Sequence, residues 1–397
     1  MSRLKQNIFI AIIILLGLGI GIYIYLNHYT PAPPEEDTVV TVWYAEDDQL
    51  SSDIPAFIDR YNSIDDRGIR KNVSVRTRSF EDYGELEKAL RLTSKASRPD
   101  MIVCDADNLA ALNSDGYIMK LSVYEEEWVA SEFNGDLVKC ASIKNNMMAL
   151  PLAADIELMV VNTKCVDNFN EIKSLEDLCA ASKTYYKDNS KPMFSLGDYA
   201  KFFRTEMAQL GEEFDAVSPR DTKNENCKYI YKLLAQSAFD RGMISSTEPL
   251  EDVADGKIAC AAASSSEIME HASSLGKDIK FFPCPCVENG KQVYNLDVKG
   301  ICICKTDENR QNASAQFLKW LSSAEINGEL LGESGYIPLR GSIGDIASDN
   351  SVFAKVSKVI LKLESSAKHT NFAPNAEYLK NYNEFIDVMT LVMDSLS

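Results

Sequence analysis

The sequence is poor in the residues and motifs that most enzymes use for catalysis. It has 3 histidines (His28, His271 and His369), and none stands in a pattern typical of a base or a metal ligand. It has no Gly-x-Ser-x-Gly turn, no His-Glu-x-x-His motif and no glycine-rich phosphate loop. We therefore expect a protein that is not an enzyme and needs no cofactor or metal. The enzyme alternative, a glycoside hydrolase, needs two carboxylates about 5–10 Å apart.

Positive charge is also scarce. The chain has 41 Lys and Arg against 59 Asp and Glu, a net charge of −18. Nucleic acids and anionic lipids bind positive surfaces, so neither is expected as a partner. The composition, 45% hydrophobic and 25% charged, is that of a globular protein. The length favours two domains rather than one core.

One long apolar run stands at the start of the chain. Residues 8–26 carry no charge, and as a helix they would span roughly 28 Å, close to a bilayer's hydrocarbon thickness. Arg3 and Lys5 precede the run, which predicts a cytoplasmic leader at 1–7 and an extracellular remainder. The proline-rich, acidic segment 27–37 is expected to be an extended spacer. The sequence thus predicts a single-pass anchor in the cell membrane; a cleaved signal peptide is the alternative.

Two of the cysteine pairs have close spacing. Cys284-Pro285-Cys286 and Cys302-Ile303-Cys304 are separated by one residue each, whereas structural zinc sites typically leave two to four. Both pairs lie in apolar, strand-like stretches. We favour small buried hydrophobic residues, and a disulfide between the two strands and a metal site are the alternatives.

Hydrophobic periodicity predicts strands that alternate with helices, which indicates a mostly parallel, doubly wound α/β sheet. The predicted strands include 39–43, 73–78, 101–104 and the long extended run 149–163, and the predicted helices include 53–64, 80–97 and 108–114.

Four blocks of the sequence resemble the extracellular solute-binding proteins of ABC importers, in the branch that contains maltose-binding protein. The blocks are PDMIVCDADNLAALNSDGYIMKLS (99–122), ALPLAADIELMVVNT (149–163), SLEDLCAASK (174–183) and ASAQFLKWLSSAEINGELLGESGYIPLRGS (313–342). The first looks like a strand, an acidic residue and a helix, and the second like a strand crossing between lobes. The last looks like an Ala-Phe-Leu-x-Trp-Leu helix before Gly-Tyr-Ile-Pro. The resemblance covers roughly 38–395.

The resemblance implies a two-lobed, periplasmic-binding-protein-like fold (type II), each lobe a mostly parallel sheet flanked by helices. Lobe one would comprise 38–150 plus 301–336, and lobe two 154–298 plus 339–397. Such proteins trap a small-molecule solute by hinge closure and deliver it to the transmembrane subunits of an ABC permease. A monomer is expected.

The carboxyl ends of the strands are where ligands bind in such sheets. Tyr44 and Glu46 follow the first predicted strand, and Asp105, Asp107 and Asn108 follow the third. The resemblance matches Asp107 to a sugar-binding Asp of the family, with helix capping as the alternative. Asn108 stands where maltose-binding protein has an arginine, so a charged hydrogen-bond donor is missing at this position.

The crossover strand supplies the leading candidate, Asp155, where the family often has a sugar-binding acid. The alternative role for Asp155 is a hydrogen bond that stabilises the hinge. Glu157 shares its face by strand alternation. Where relatives have an aromatic turn, this chain has Ser264 and Ser265, which lack a stacking ring and offer hydroxyl donors instead.

Aromatic surface is expected from Tyr336 and Phe372, although a role in the core is the alternative for both. The resemblance favours a sugar or oligosaccharide as the solute. Because no Lys or Arg stands in the acidic loops, a polyamine or other cationic solute is the alternative ligand. A tethered sensory or scaffold module on the same fold is the alternative function.

Overall fold

The structure is a computed structural model that describes residues 38–46, 49–65, 72–212, 224–346 and 348–370. The predicted anchor at 8–26, the spacer at 27–37 and Phe372 lie outside these ranges. Within them, no helix is long and apolar enough to cross a bilayer.

The described strands and helices alternate along most of the chain. The strands are β1 (Thr38–Ala45), β2 (Val73–Phe80), β3 (Met101–Asp105), β4 (Ser142–Ile143), β5 (Asn146–Met147), β6 (Leu150–Asp155), β7 (Glu157–Asn162), β8 (Phe194–Leu196), β9 (Met243–Ile244), β10 (Cys260–Ser264), β11 (Ile279–Pro283), β12 (Val293–Asn295), β13 (Asp297–Ile303), β14 (Ile337–Pro338) and β15 (Lys368–Thr370). The α-helices are α1 (Gln49–Asn62), α2 (Tyr83–Leu92), α3 (Leu109–Ser114), α4 (Gly135–Cys140), α5 (Leu175–Asn189), α6 (Tyr199–Gln209), α7 (Glu225–Phe239), α8 (Pro249–Ala254), α9 (Ser265–Glu270), α10 (Glu308–Leu321), α11 (Ala324–Leu331) and α12 (Ser351–Ser366).

Two larger sheets organise these elements. One has 6 strands in the order β14-β6-β13-β3-β1-β2, and the other has 5 in the order β11-β7-β10-β8-β9. We call the first sheet with its helices lobe one, and the second with its helices lobe two. Each sheet is covered on both faces because its strands alternate between two buried clusters. In β1, for example, Val42 packs on one face and Trp43 on the other.

The expectation of mostly parallel sheets needs a correction. Parallel pairing joins β1 with β3, and β8 with both β9 and β10. However, β13 runs antiparallel to β3 and β6, and β7 runs antiparallel to β10 and β11. The physical reason is the route of the chain. β7 and β13 arrive from the other lobe, so each begins at the side of its sheet where the strands beside it end. The short β14 also runs antiparallel to β6.

The predicted extended run 149–163 is two strands rather than one. β6 pairs within lobe one and β7 within lobe two, and only Ile156 separates them. A second crossing lies beside the first, because Asp297 at the start of β13 stands opposite Asp155 at the end of β6. Asp155 and Glu157 alternate with Ile156 as in a single strand, so periodicity alone does not reveal the change of sheet.

The helix predicted over 80–97 is also shorter than expected. Asp82 Oδ1 accepts from the backbone N–H of Glu85 at 2.8 Å and starts α2, which ends before Thr93. A separate turn of 3₁₀ helix follows at Lys95–Ser97. In contrast, α3 ends as predicted just before Gly116, whose φ of +74° favours glycine.

Most of the cysteines behave as small buried hydrophobic residues: seven of the ten are buried, and Cys165, Cys179 and Cys286 are half-buried. All ten are free thiols, and Cys302 and Cys304 are at most 1% exposed. Cys104 Sγ lies 3.5 Å from Cys302 Sγ in the core of lobe one. The predicted alternative of a disulfide between the two CxC strands is therefore wrong. Among the described residues, no group of three or more His, Cys, Asp or Glu side chains could hold a metal ion.

Candidate functional site

A cleft lies between the two lobes, where the crossings leave the sheets. It consists of two adjoining cavities: a narrow one of about 280 Å³ on the side of lobe two, and a wider one of about 560 Å³ open to both lobes. They share part of their walls, including Asp155, Lys201 and Ser264. The volumes fit a small solute.

Asp155 stands in the wall of both cavities and is bonded to lobe two. Ser265 Oγ donates to its Oδ1 at 2.6 Å, the backbone N–H of Ser266 donates to the same oxygen at 2.9 Å, and Ser266 Oγ donates to Oδ2. Burial raises the pKa of Asp155 above its usual range, and the hydrogen bonds from Ser265 and Ser266 oppose that shift. The carboxylate thus ties the crossover strand to the start of α9.

Glu157 begins β7 and lies in the wall of the narrow cavity. Its carboxyl forms no hydrogen bond or ion pair with the described residues. Burial raises its pKa to about 8, and the charge of Asp198 adds to the shift, whereas Lys201 and Arg204 oppose it. At neutral pH the Glu157 carboxyl therefore holds its proton in most molecules.

The cleft is acidic, but lysines neutralise part of it. Lys201 of α6 forms an ion pair with Asp297, and Lys299 Nζ lies 3.5 Å from Asp105 Oδ1. The sequence analysis found no Lys or Arg near the acidic loops. That picture is incomplete, because the cations come from α6 and β13, which are distant in sequence from β3.

Four of the predicted site residues that the structure describes do not line the cleft: Tyr44, Asp107, Asn108 and Ser265. Asp107 Oδ2 accepts from Arg204 Nη1 at 3.1 Å, and the Arg204 side chain is 1% exposed. Tyr44 is buried in the core of lobe one, and Asn108 is the residue directly before the first residue of α3. Asp107 therefore joins lobe one to α6 of lobe two.

The serines that replace the family's aromatic turn are used mainly within the protein. Ser264 caps α9, since its Oγ accepts from the backbone N–H of Glu267 at 3.2 Å. Ser265 is fully buried behind Asp155. Glu46 and Tyr336 line the wider cavity, and Tyr336 is the one aromatic side chain among the described residues that line the cleft.

Several cleft residues were not foreseen from the sequence. Asp198 follows β8, a three-residue strand too short to show periodicity. Asp297 is the first residue of β13, and a search of the carboxyl ends of strands passes it over because β13 is reversed. Lys201, Glu267 and Glu270 lie on helices, where charged residues usually mark a solvated face.

The family model for bacterial extracellular solute-binding proteins matches residues 56–354, most of the chain. The chain belongs to this family. The predicted resemblance is confirmed, and this solute-binding protein is a binding protein rather than an enzyme.

Solved structures share the fold of this solute-binding protein. A cyclic α-maltosyl-1,6-maltose binding protein from Arthrobacter globiformis aligns with a TM-score of 0.68 at 15% identity, over 91% of this chain and 96% of that one. An ABC substrate-binding protein from Listeria monocytogenes in complex with cycloalternan aligns with a TM-score of 0.71 at 11% identity, over 91% and 95%. UgpB from Mycobacterium tuberculosis in complex with glycerophosphocholine aligns with a TM-score of 0.67 at 15% identity, over 90% of this chain and 99% of that one. No curated protein sequence matches significantly.

Proposed function

We propose that this protein is the substrate-binding subunit of an ABC importer. It captures an extracellular sugar or oligosaccharide between its lobes, closes over the solute and delivers it to the permease. The observation that carries the proposal is the cleft itself. Both lobes and both crossings contribute polar side chains to it, so lobe movement about the crossings changes the contacts with a bound solute.

The chemistry of the wider cavity suits a hydroxylated ligand. Carboxylates accept hydrogen bonds from sugar hydroxyls, and Lys299 supplies a donor that neutral sugars also need. Tyr336 offers the aromatic surface. The proteins from Arthrobacter globiformis and Listeria monocytogenes, whose structures are similar, are described with cyclic sugars. We propose Glu46, Asp105, Asp155, Glu157, Ser264 and Tyr336 as ligand contacts.

The proposal includes a tether. Residues 8–26 would anchor the protein in the cell membrane, with the leader 1–7 inside and a monomeric ligand-binding region outside. The apolar run and the two preceding positive charges support this arrangement. Alkaline extraction of membranes tests it: the full chain should remain in the pellet, and a variant without residues 1–37 should be released. Release of the full chain would exclude the anchor.

Isothermal titration calorimetry against a panel of neutral mono- and oligosaccharides tests the ligand-binding role. We expect saturable one-to-one binding of at least one sugar. Asp105→Asn should weaken that binding about ten- to a hundredfold, the effect of a lost charge-assisted hydrogen bond. The control is Asp115→Asn, at an exposed position after α3 of the same lobe, and it should bind normally. Equal weakening in both variants would place the site elsewhere.

A further inference from the structure

Arg204 is a charged residue in the interior of the protein. It lies on α6 of lobe two, and its side chain is 1% exposed. Arginine is almost never fully buried unless it is paired, because its charge loses hydration. The partner is Asp107, whose Oδ2 lies 3.1 Å from Arg204 Nη1 and whose side chain is 21% exposed. Since Asp107 belongs to lobe one, the burial of Arg204 depends on an ion pair between the lobes.

Groups of lobe one and of the second crossing lie close to the Arg204 guanidinium. Burial raises the pKa of the Cys140 thiol, at the end of α4 of lobe one, to about 12; Asp107 adds to this shift and Arg204 opposes it. Burial also acts to raise the pKa of Asp297, but the charges of Lys201 and Arg204 outweigh it and lower that pKa. Arg204 therefore lies where α6 meets lobe one and β13, and separation of the lobes would expose it to water.

The ion pair lies at one side of the two crossings. In the sheet of lobe one, the crossing strands β6 and β13 have β14 on one side and β3 on the other. The turn before β14 approaches α9, since a Cβ on Gly335 would lie 2.4 Å from the backbone oxygen of Ser265. The turn after β3 carries Asp107, which meets α6. The lobes thus touch on both sides of the crossings, and we call this arrangement closed.

The Asp107 carboxylate decides what the closed arrangement costs. At 3.1 Å the two side chains are already at hydrogen-bond distance, so a hinge movement lengthens the contact. For an intact buried pair, the attraction between the ions roughly offsets the loss of hydration. A guanidinium buried alone loses its hydration without that return. Without the carboxylate, separation of the lobes lets water reach Arg204, and the open arrangement becomes the favoured one.

We propose that Asp107 is a positioning residue for solute capture: by pairing with Arg204 it allows the lobes to close, and it contributes to binding without touching the solute. The capture step rests on the proposed function. This role fits the position of Asp107 outside both cavities, although the residue resembles a sugar-binding Asp of the family. It also has a consequence that a solute contact lacks. Removal of the Arg204 charge should make the Asp107 carboxylate dispensable.

Single-molecule FRET on the full chain in nanodiscs measures closure without any solute. The dyes are attached through unnatural amino acids at Leu92 of lobe one and Phe239 of lobe two, which are 80% and 69% exposed. We expect one transfer efficiency in the wild type and a second population in Asp107→Asn. The double variant, Asp107→Asn with Arg204→Met, removes the charge as well and should return to the wild-type distribution. Unchanged transfer in Asp107→Asn would overturn the proposal, as would a second population that persists in the double variant.

Calorimetry and stopped-flow fluorescence measure binding of the panel sugar that the wild type binds most tightly. Asp107→Asn should weaken binding about tenfold, because fewer molecules are closed, while association becomes faster because more molecules are open. Loss of a direct solute contact would not speed association. The double variant should bind within about threefold of the wild type, since an uncharged side chain at position 204 needs no partner. Binding as weak in the double variant as in Asp107→Asn, or slower association in Asp107→Asn, would overturn the proposal.

Two single variants complete the test. The control is Glu127→Gln, the same carboxylate-to-amide change in an exposed pair with Lys319 inside lobe one, and it should keep wild-type closure and affinity. Arg204→Met alone covers the case in which Asp107→Asn does not fold. Its closure and affinity should stay close to those of the wild type, and loss of either in the folded protein would overturn the proposal. If no sugar binds the wild type, the proposed function fails, and the FRET measurement alone decides whether Asp107 controls closure.

Discussion

At the scale of single residues, Asp155 joins two roles that the sequence analysis treated as alternatives. Its carboxylate lines the cleft and also accepts hydrogen bonds from Ser265 and Ser266. Asp155→Asn places an amide N–H₂ where an oxygen accepts a hydroxyl, so we expect the free energy of unfolding without ligand to fall by roughly 1.5–3 kcal/mol. Urea unfolding measures this, with Asp115→Asn as the exposed control. An unchanged midpoint would contradict the contacts of Asp155 with α9.

Glu157 gives a prediction for pH dependence. Burial raises its pKa from 4.5 to about 8 in the folded protein, so its proton stabilises the fold below pH 4.5. That contribution is lost as the pH rises from about 4.5 to about 8. Over this range the Tm of the wild type should fall relative to that of Glu157→Gln, which does not titrate. Parallel Tm curves for the two proteins would show that Glu157 titrates normally.

At the scale of elements, the contact between α6 and the turn after β3 is a partly buried ion pair. Asp107→Asn would remove the negative charge that pairs with the buried Arg204 guanidinium at 3.1 Å. We expect a loss of roughly 2–3 kcal/mol in the free energy of unfolding. The control is Glu127→Gln, which breaks an exposed pair with Lys319 at 3.2 Å and should change little. Equal effects in denaturant unfolding would indicate that the Arg204 contact contributes no more than a surface pair.

The turn before β14 packs closely on α9 of lobe two. Gly335 has a φ of +83°, and a Cβ there would lie 2.4 Å from the backbone oxygen of Ser265. Gly116 has a φ of +74° with open space around it. Both alanine substitutions carry the left-handed backbone penalty of about 1–2 kcal/mol, but only Gly335→Ala adds a clash. Its Tm should fall clearly further. Equal decreases in Tm would mean that the backbone at Ser265 moves away from the added Cβ at position 335 without loss of stability.

The local sequence patterns predicted which helices and strands form better than they predicted the residues at which these elements begin and end. Gly116 ends α3 because its backbone conformation favours glycine, which can be read from sequence. The end of α2 before Thr93 depends on caps that the hydrophobic pattern does not carry. The change of sheet at Ile156 was also hidden, since Asp155 and Glu157 alternate with Ile156 as they would in one continuous strand.

At the scale of the whole molecule, the sequence predicted the acidic side of the cleft but not its neutralising partners. Glu46 and Asp105 line the cleft after their strands, and Asp155 and Glu157 line it at the crossover, where the sequence analysis expected each of them. Lys201 approaches Asp297 only because α6 of lobe two packs against the second crossing. Such a pairing depends on how the two lobes meet, and no local pattern encodes it.

The central claim is that a solute is held between the lobes. Hydrogen–deuterium exchange of the full chain, with and without the ligand found by calorimetry, tests it most directly. The account predicts ligand-induced protection on both sides: at 103–107 of lobe one, and in α6 and α9 of lobe two. The helix α7 serves as an internal reference, because none of its residues lines the cleft, and its exchange should not change. Protection confined to one lobe, or absent from α6 and α9, would contradict capture in this cleft.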